Sequence, residues 1–294
     1  MSNYVIITDS TTDLPQKLAK DWNVEIIPYI FNLDGKEYFN YLDWREMSVK
    51  DFYNALREGK KGSTTLVNQA RYAEIWEPHL KAGKDILYMC LSSALSKSYE
   101  QSELAAAELR ETYPERTIIS IDTKGASMGM GLLAYYAAKA RDEGKTIEEL
   151  AAYIYGLIPI LHHWVMADDL HHLRRGGRIS GAKAFVGTML NVKPIIHMTQ
   201  DGKLTPLTKA RGRNKALELL AEQMTEHKAS PAGQPVFISH SDAPELAEQL
   251  KNIIIAKYGD RHFEINEIGP VIGAHTGPGT LALFFLGNER RTQV

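Results

Sequence analysis

Apolar runs alternate with amphipathic stretches along the first half of the chain, and this alternation indicates strands separated by helices. Short apolar runs that end in polar turn formers are typical of buried strands. The clearest such runs are Tyr4–Thr8, Ile86–Leu91 and Thr117–Ile121, and helical periodicity follows at Ser96–Glu111 and Ser127–Gly144. Strands that alternate with helices of this length predict an α/β domain built on a parallel sheet.

Two Asp-Gly pairs mark predicted hairpins. Asp34-Gly35 lies between the predicted strand segments Val24–Leu33 and Lys36–Tyr41, and Asp-Gly is a preferred sequence for a two-residue hairpin turn. Asp201-Gly202 stands in the same relation to its own flanking runs. By contrast, the polar stretch Gly62-Ser63-Thr64-Thr65 predicts a loop.

The second half of the chain mixes hairpin and crossover units. Predicted elements there include a helix over Asn214–His227, a helix over Ala243–Tyr258 and a last strand over Leu281–Leu286. This mixture indicates a mixed sheet rather than a purely parallel one. We therefore predict two α/β domains: residues 1–165 with a parallel sheet, and residues 166–294 with a mixed sheet.

Composition narrows the class of protein. The chain has 294 residues, and 34 Lys and Arg nearly balance 36 Asp and Glu. This balance argues against broad nucleic-acid binding, which needs a large basic surface. The single cysteine, Cys90, excludes an internal disulfide framework and a multi-cysteine zinc site. The sequence has neither an apolar run of about 20 residues nor the pattern of a signal peptide, so a cytoplasmic protein without stable membrane insertion is predicted.

Hydroxyl side chains recur at the predicted ends of strands. They occur in Asp9-Ser10-Thr11-Thr12, Ser63-Thr64-Thr65, Ser92-Ser93 and Thr123. Capping and turn formation explain any one of these clusters. Their recurrence at one edge of one sheet favours an anion site, because ligands of open α/β sheets bind beyond the carboxyl ends of the strands.

His275 lies in a segment rich in glycine and proline. Residues 268–280 contain four glycines and two prolines, a composition that predicts tight and unusual backbone. A titratable side chain held on such a loop is a candidate for a functional site. A purely structural turn accounts for the same pattern, and the residues alone leave both interpretations open. The adjacent pairs His162-His163 and His171-His172 are poor metal sites, because neighbouring side chains point in different directions.

Six segments together resemble the DegV family, in the family's order and over nearly the whole chain. They are Ile6–Pro15 (IITDSTTDLP), Leu91–Ser102 (LSSALSKSYEQS), Ile121–Leu133 (IDTKGASMGMGLL), Asp169–Ser180 (DLHHLRRGGRIS), Val192–Ile196 (VKPII) and Ile268–Gly279 (IGPVIGAHTGPG). The resemblance implies two α/β domains with a long-chain fatty acid held in a pocket between them. It also implies a partner, the catalytic subunit of a fatty acid kinase, which phosphorylates the bound carboxylate with ATP. The protein itself would then be a carrier, monomeric when alone, with the fatty acid as ligand and no cofactor or metal.

The resemblance also implies the residues that hold the head group. Ser93 would bind the carboxylate together with Thr64, which matches the threonine of the family's Thr-Ser-Gln-Pro-Ser loop, and Thr65 matches its serine. His275 would support the threonine, and Arg178 would lie near the head group or the docking surface. The chain departs from the family pattern at two places: Leu66-Val67-Asn68 replaces Gln-Pro-Ser, and Ala94 and Lys97-Ser98 stand where Gly and Gly-Thr are common.

Two further sets of residues are predicted around this site. Candidate contacts for the hydrocarbon tail are Met128, Met130, Leu132, Met166, Phe185, Met189 and Leu190, although apolar residues at helical spacing usually belong to the core. A basic cluster of Arg174, Arg175, Arg178 and Lys183 is either a solvated face or the kinase docking site. The competing hypothesis for the whole protein is a hydrolase or phosphotransferase for a small acyl or phosphorylated substrate, with Ser93 as nucleophile and His275 as general base.

Overall fold

The computed structural model describes residues 3–168, 170–181, 191–229 and 234–290. Its strands are β1 (Tyr4–Asp9), β2 (Val24–Ile27), β3 (Tyr29–Leu33), β4 (Lys36–Asn40), β5 (Gly62–Thr65), β6 (Asp85–Cys90), β7 (Ile118–Asp122), β8 (Leu161–Met166), β9 (Val192–Met198), β10 (Leu204–Arg211), β11 (Val236–His240), β12 (Phe263–Glu267) and β13 (Leu281–Leu286). Its α-helices are α1 (Gln16–Asp21), α2 (Val49–Arg57), α3 (Gln69–Lys81), α4 (Ser98–Thr112), α5 (Met128–Asp142), α6 (Ile147–Leu157), α7 (His171–Arg175), α8 (Arg213–Glu226), α9 (Pro244–Tyr258) and α10 (Pro270–Thr276).

The strands form three sheets. A parallel four-stranded sheet has the order β2-β1-β6-β7, and a mixed six-stranded sheet has the order β10-β9-β8-β13-β11-β12. The third sheet, β4-β3-β5, is antiparallel. The predicted α/β class, with a parallel sheet in the first half and a mixed sheet in the second, is confirmed. The mixed sheet begins with β8, just before the predicted division at residue 165, and that division stays a prediction.

The first predicted hairpin forms with β3 and β4 as its strands. Asp34 and Gly35 have φ values of 54° and 86°, and two positive φ angles are what a type I′ turn requires. The apolar run before this turn is not one strand, however. It divides at Pro28 into β2, which joins the parallel sheet, and β3, which joins the antiparallel one. Proline has no N–H to continue a hydrogen-bond ladder, so the chain changes sheets there.

The predicted loop at Gly62-Ser63-Thr64-Thr65 was wrong, because these residues form strand β5. Thr64 is paired with Phe31 of β3 in an antiparallel ladder. The polar sequence is typical of a loop, but β3 offers an unpaired edge, and threonine suits the pleated backbone. Tertiary pairing thus decides the conformation of this segment.

The prediction of an irregular loop around His275 was also wrong. Residues Pro270 to Thr276 form helix α10. Pro270 occupies the first helical position, where its missing N–H costs no hydrogen bond. Gly277, at φ 77°, ends the helix in a conformation that favours glycine. The prolines and glycines of the segment therefore mark the ends of a helix.

Helix α5 packs between the sheets, and a glycine sets how closely it approaches the mixed one. Ten of its fifteen residues are buried. A Cβ atom added at Gly129 would overlap the imidazole of His163 on β8. That imidazole in turn accepts a hydrogen bond from the backbone N–H of Ala126, at 3.2 Å from Nε2. Glycine at position 129 thus permits the contact between α5 and the C-terminal half of the chain.

Asp13 connects the parallel sheet to helix α10. Its side chain accepts hydrogen bonds from the hydroxyl of Ser127 and from the backbone N–H of Gly269, the latter at 2.8 Å. Asn266 donates to the backbone carbonyl of Asp13 at 2.8 Å. Burial raises the pKa of the Asp13 carboxyl to about 8, against the lowering effect of the bonds from Ser127 and Gly269. The folded protein therefore holds a proton on Asp13 at neutral pH.

We expect the proton on Asp13 to make stability fall as pH rises. The unfolded carboxyl loses its proton near pH 4 and the folded one near pH 8, so this contribution is complete below about pH 4 and is lost towards pH 8. The variant Asp13→Asn keeps the size of the side chain and its hydrogen-bonding capacity. Between pH 5 and 8 its free energy of unfolding, relative to the original protein, should rise by up to about 1.4 kcal/mol per pH unit.

Urea denaturation at constant ionic strength measures this difference. Asp34→Asn is a matched control, because Asp34 also has a positive φ but is exposed on a hairpin turn. Parallel pH profiles for Asp13→Asn and the original protein would show that the folded carboxyl is ionised.

Candidate functional site

Close packing of helix α10 against strand β5 brings His275 to Thr64. A Cβ atom added at Gly62 would lie 3.0 Å from Cβ of Ala274, and one added at Gly273 would overlap the hydroxyl of Tyr53. Gly62 on β5 and Ala274 on α10 therefore allow the helix to lie directly on the strand, and Gly273 allows the same helix to approach Tyr53 on α2. In this position Nε2 of His275 is 2.9 Å from Oγ1 of Thr64. Two residues 211 positions apart in the chain thus form a hydrogen-bonded pair.

The imidazole of His275 is neutral at physiological pH. Burial, and then the positive charges of Arg178 and Arg175, lower the pKa of His275 to about 4. The other ring nitrogen, Nδ1, packs against Gly176, where an added Cβ would overlap it. A neutral imidazole carries one N–H and one lone pair. His275 can therefore orient the hydroxyl of Thr64 without adding a charge to the site.

A largely apolar cavity of about 330 Å³ lies beside this pair. Its described lining consists of Tyr29, Thr64, Thr65, Leu66, Leu91, Leu95, Ser96, Lys97, Ala126, Leu173, Arg178, Leu204, Val271, Ile272, His275 and Thr276. These residues come from both halves of the chain: Tyr29 and Thr64 belong to the antiparallel sheet, and Leu204 belongs to β10 of the mixed sheet. Thr64, His275 and Arg178 are among its polar lining residues, and aliphatic side chains make up much of the remaining wall.

Four of the five predicted site residues line this cavity: Thr64, Thr65, Arg178 and His275. Arg178 is held in place by backbone carbonyls. Its Nε donates to the carbonyl of Leu95 at 3.2 Å, and its Nη1 donates to the carbonyl of Gly176. The structure therefore brings one strand, one short helix and one glycine-rich turn to the same site.

The fifth predicted residue, Ser93, has other partners. Its hydroxyl accepts a hydrogen bond from Nζ of Lys124 at 2.9 Å, and its backbone N–H donates to Asp122 at 3.1 Å. Ser93 is not among the described residues that line the cavity. The structure pairs His275 with Thr64 instead, so it does not form the Ser93–His275 pair that the hydrolase hypothesis requires.

Ser96 is a lining residue that sequence reasoning missed. It follows Ser93 by three positions in the loop before α4, and its hydroxyl lies 2.9 Å from the hydroxyl of Ser98. Both Ser93 and Ser96 belong to the serine-rich segment that carries the resemblance. Only the course of the loop between β6 and α4 distinguishes them, and spacing along the chain does not reveal that course.

Four of the predicted tail contacts lie elsewhere. Met128, Met130, Leu132 and Met166 are fully buried in the packed cores, and none of them is among the described lining residues of the cavity. Phe185, Met189 and Leu190, and Lys183 of the basic cluster, lie outside the described residues. The aliphatic wall is formed instead by residues such as Leu95, Leu173 and Leu204.

The described part of the chain limits the other possible kinds of site. No helix there is both long enough and apolar enough to cross a bilayer. Nor do the described His, Cys, Asp and Glu side chains include a group of three or more that could hold a metal ion. The adjacent histidines of β8 point to opposite sides of the sheet, with His162 stacked on Phe285 and His163 in T-shaped contact with Phe284.

Curated sequence relatives cover nearly the whole chain. A DegV domain-containing protein of Clostridium perfringens is 43% identical over 290 residues, covering 99% of both chains. One from Streptococcus pyogenes is 34% identical over 288 residues, covering 98% of this chain and 99% of its own.

Solved structures agree with the sequence relatives. A fatty-acid-binding DegV family protein from Thermus thermophilus superimposes with a TM-score of 0.88 at 29% identity, covering 97% of this chain and 99% of its own. A fatty-acid-binding DegV family protein from Streptococcus agalactiae gives a TM-score of 0.85 at 27% identity, covering 98% of this chain and 100% of its own. The model of the DegV family matches residues 3–288, and the chain therefore belongs to the DegV family.

Proposed function

We propose that this protein binds a long-chain fatty acid in the cavity beside Thr64 and His275. The observation that carries the proposal is the combination of an aliphatic wall with a few hydroxyl groups close to one histidine. Ligand sites of this kind bury an apolar body and fix its orientation with few polar groups. The solved relatives from Thermus thermophilus and Streptococcus agalactiae bind fatty acids, which supports the same ligand class here.

The head group is held by hydroxyl groups in this proposal. Nε2–H of His275 donates to Oγ1 of Thr64, which leaves the hydroxyl proton of Thr64 to donate to the carboxylate. Ser96, in the loop before α4, supplies a second hydroxyl. The guanidinium of Arg178 provides positive potential at the same cavity. The carboxylate is thus oriented without a bidentate ion pair, which would bind it more tightly and make its oxygen a weaker nucleophile.

The hydrocarbon tail supplies most of the affinity. Burial of each CH₂ is worth about 0.8 kcal/mol, so a C16 tail offers about 10–12 kcal/mol before the costs of ordering the ligand. The polar contacts mainly decide which end of the ligand lies at Thr64. The protein acts as a carrier in the cytoplasm, and chemistry at the head group belongs to a partner.

That partner is the catalytic subunit of a fatty acid kinase. In the proposed reaction a carboxylate oxygen attacks the γ-phosphorus of ATP, the bond from that phosphorus to the bridging oxygen breaks, and ADP leaves with its electron pair. The carrier contributes the exposed carboxylate, and the kinase subunit contributes the nucleotide. Membership of the family and the geometry of the Thr64–His275 pair support this assignment.

Removal of the head-group hydroxyls should release the ligand. We expect Thr64→Val and Ser96→Ala each to reduce retained fatty acid several-fold, because each change removes one hydrogen bond to an ionised group. Solvent extraction of purified protein followed by mass spectrometry measures the retained fatty acid. Ser93→Ala tests the original sequence prediction in parallel and should leave retention unchanged. Absence of fatty acid from the original protein, together with turnover of a model ester by the protein alone, would favour the hydrolase hypothesis.

The position of the His275 ring should depend on the glycine beside it. Gly176 has φ −74° and ψ −12°, so alanine fits its backbone, but the added Cβ would overlap Nδ1 of His275. We expect Gly176→Ala to displace the imidazole and to weaken fatty acid binding about tenfold, which corresponds to about 1.4 kcal/mol. Isothermal titration with hexadecanoate measures the loss.

Gly156→Ala is the control for this substitution. Gly156 lies in helix α6 with no atom within 4 Å of an added Cβ, so the change should leave binding unaltered and slightly favour the helix. Equal affinities for the two alanine variants would contradict the role given to His275.

Charge reversal at Arg174 tests the docking of the kinase subunit. Arg174 is exposed on helix α7 and does not line the cavity in the described structure. We expect Arg174→Glu to slow acyl phosphate formation by the reconstituted pair, most strongly at low salt, with unchanged hexadecanoate binding. An unaltered rate would place the docking surface elsewhere.

A further inference from the structure

The segment from Asp9 to Asp13 has no part in the site described so far. Its hydroxyl groups are candidates for an anion site in the sequence, yet none of its residues is among the described ones that line the apolar cavity. The segment forms a tight turn instead. Ser10–Thr12 is one turn of 3₁₀ helix, and Asp9 caps it by accepting from the backbone N–H of Thr11 at 2.9 Å. The turn ends at Asp13, which has a left-handed φ of 51° and is almost fully buried.

The buried carboxyl of Asp13 holds the beginning of helix α10. Gly269 immediately precedes this helix, and its backbone N–H donates to Oδ1 of Asp13 at 2.8 Å. The contact is close, because a Cβ atom added at Gly269 would lie 2.8 Å from the same oxygen. The first N–H groups of a helix have no partner within the helix. A carboxyl oxygen at this point therefore fixes where α10 begins.

The direction of α10 depends on contacts of this kind. The helix has seven residues, and a helix this short has little stability of its own, so the surrounding fold sets its position. His275 follows Gly269 by six residues, which is about 9 Å along the axis at 1.5 Å per residue. A change of direction at the start of α10 would therefore move Nε2 of His275 away from Oγ1 of Thr64, which lies 2.9 Å from it.

Ser127 joins the same carboxyl to the wall of the apolar cavity. Its hydroxyl donates to Oδ2 of Asp13 and lies 2.9 Å from the hydroxyl of Ser239. Ser127 has φ 53° and ψ −147°, a conformation uncommon for residues other than glycine, so the surrounding contacts must stabilise it. The preceding residue, Ala126, lines the apolar cavity. Asp13 thus bonds through one oxygen to the helix that carries His275 and through the other to the segment beside the cavity.

We propose that Asp13 and Ser127 are positioning residues for His275, and that they keep it within hydrogen-bonding distance of Thr64 through helix α10. The expected effect on fatty acid affinity rests on the proposed function, in which Thr64 binds the carboxylate. Neither Asp13 nor Ser127 is among the described residues that line the apolar cavity. Both therefore act on the head group through α10, without touching the ligand.

Two ligands with the same tail distinguish positioning from a general loosening of the fold. Hexadecanoate has an ionised head group, and methyl hexadecanoate keeps the tail without that charge. We expect Asp13→Gly to weaken hexadecanoate binding about tenfold and Ser127→Ala about fivefold, because each removes a hydrogen bond that holds α10. Binding of methyl hexadecanoate should stay within about twofold. Displacement of a fluorescent fatty acid analogue measures both affinities.

Asp13→Asn is the conservative variant and Ser102→Ala is the matched control. The amide of asparagine keeps an oxygen for the N–H of Gly269, and its NH₂ group can donate to the hydroxyl of Ser127. Asp13→Asn should therefore retain both affinities at pH 7. Ser102 is a fully buried serine of α4 whose hydroxyl lies 2.7 Å from that of Ser120 on β7. Its removal takes away a buried hydroxyl that does not bond to α10, and should change neither affinity.

The imidazole itself gives a readout that needs no ligand. Nitrogen chemical shifts of the ligand-free protein show which ring nitrogen of His275 carries the proton, and the signal is assigned by its loss in His275→Gln. We expect a single tautomer protonated at Nε2 in the original protein and in Asp13→Asn. In Asp13→Gly and Ser127→Ala the bond to Thr64 is weakened, so both tautomers should be populated.

The outcomes separate this proposal from the proposed function. Unchanged shifts of His275 in Asp13→Gly and Ser127→Ala, or equal losses of affinity for both ligands, would overturn the positioning role while fatty acid binding stands. Equal losses in Asp13→Asn and Asp13→Gly would overturn it as well. Failure of the original protein to bind hexadecanoate would overturn the proposed function, and the nitrogen shifts would still decide the positioning role. Should circular dichroism show that Asp13→Gly does not fold, Ser127→Ala decides.

Discussion

The hydrogen bond between Thr64 and His275 depends on how closely a seven-residue helix can lie on the edge strand of a small sheet. Gly62 allows that approach because it carries no Cβ that would press on Ala274 of the helix. A bulkier residue at position 62 would separate the histidine from the threonine. The site therefore depends on packing density more than on the chemical identity of the two polar residues alone.

Burial shifts the pKa values of an imidazole and a carboxyl near helix α10 in opposite directions. It lowers the pKa of His275 to about 4 and raises that of Asp13 to about 8. Both groups are consequently neutral at pH 7, in agreement with the cost of placing a charge in an apolar interior. Neutral hydrogen-bonding groups thus join the N-terminal and C-terminal halves of the chain. The charged side chains of Lys61 and Arg175 lie outside the described lining of the apolar cavity.

The apolar cavity shares Thr64, Arg178 and His275 with a second cavity that Lys61 and Arg175 also line, and this shared border would orient the ligand of the proposed carrier. Aliphatic side chains such as Leu173 and Leu204 favour a hydrocarbon on one side, and cations such as Arg175 favour an anion on the other. A ligand with one apolar end and one charged end has a single favourable orientation in this arrangement. In the proposed function this orientation places the carboxylate at Thr64.

The sequence by itself determined the α/β class, the parallel and mixed sheets, most helices and the family, because periodicity and turn residues such as Asp34-Gly35 act locally. It also indicated Thr64, Thr65, Arg178 and His275 through the resemblance. Only the tertiary structure decided that Thr64 lies in a strand, that His275 lies on a helix, and that Ser96 lines the cavity. These features arise from contacts between segments that are distant in the chain. Such contacts produce no hydrophobic periodicity from which the sequence could predict them.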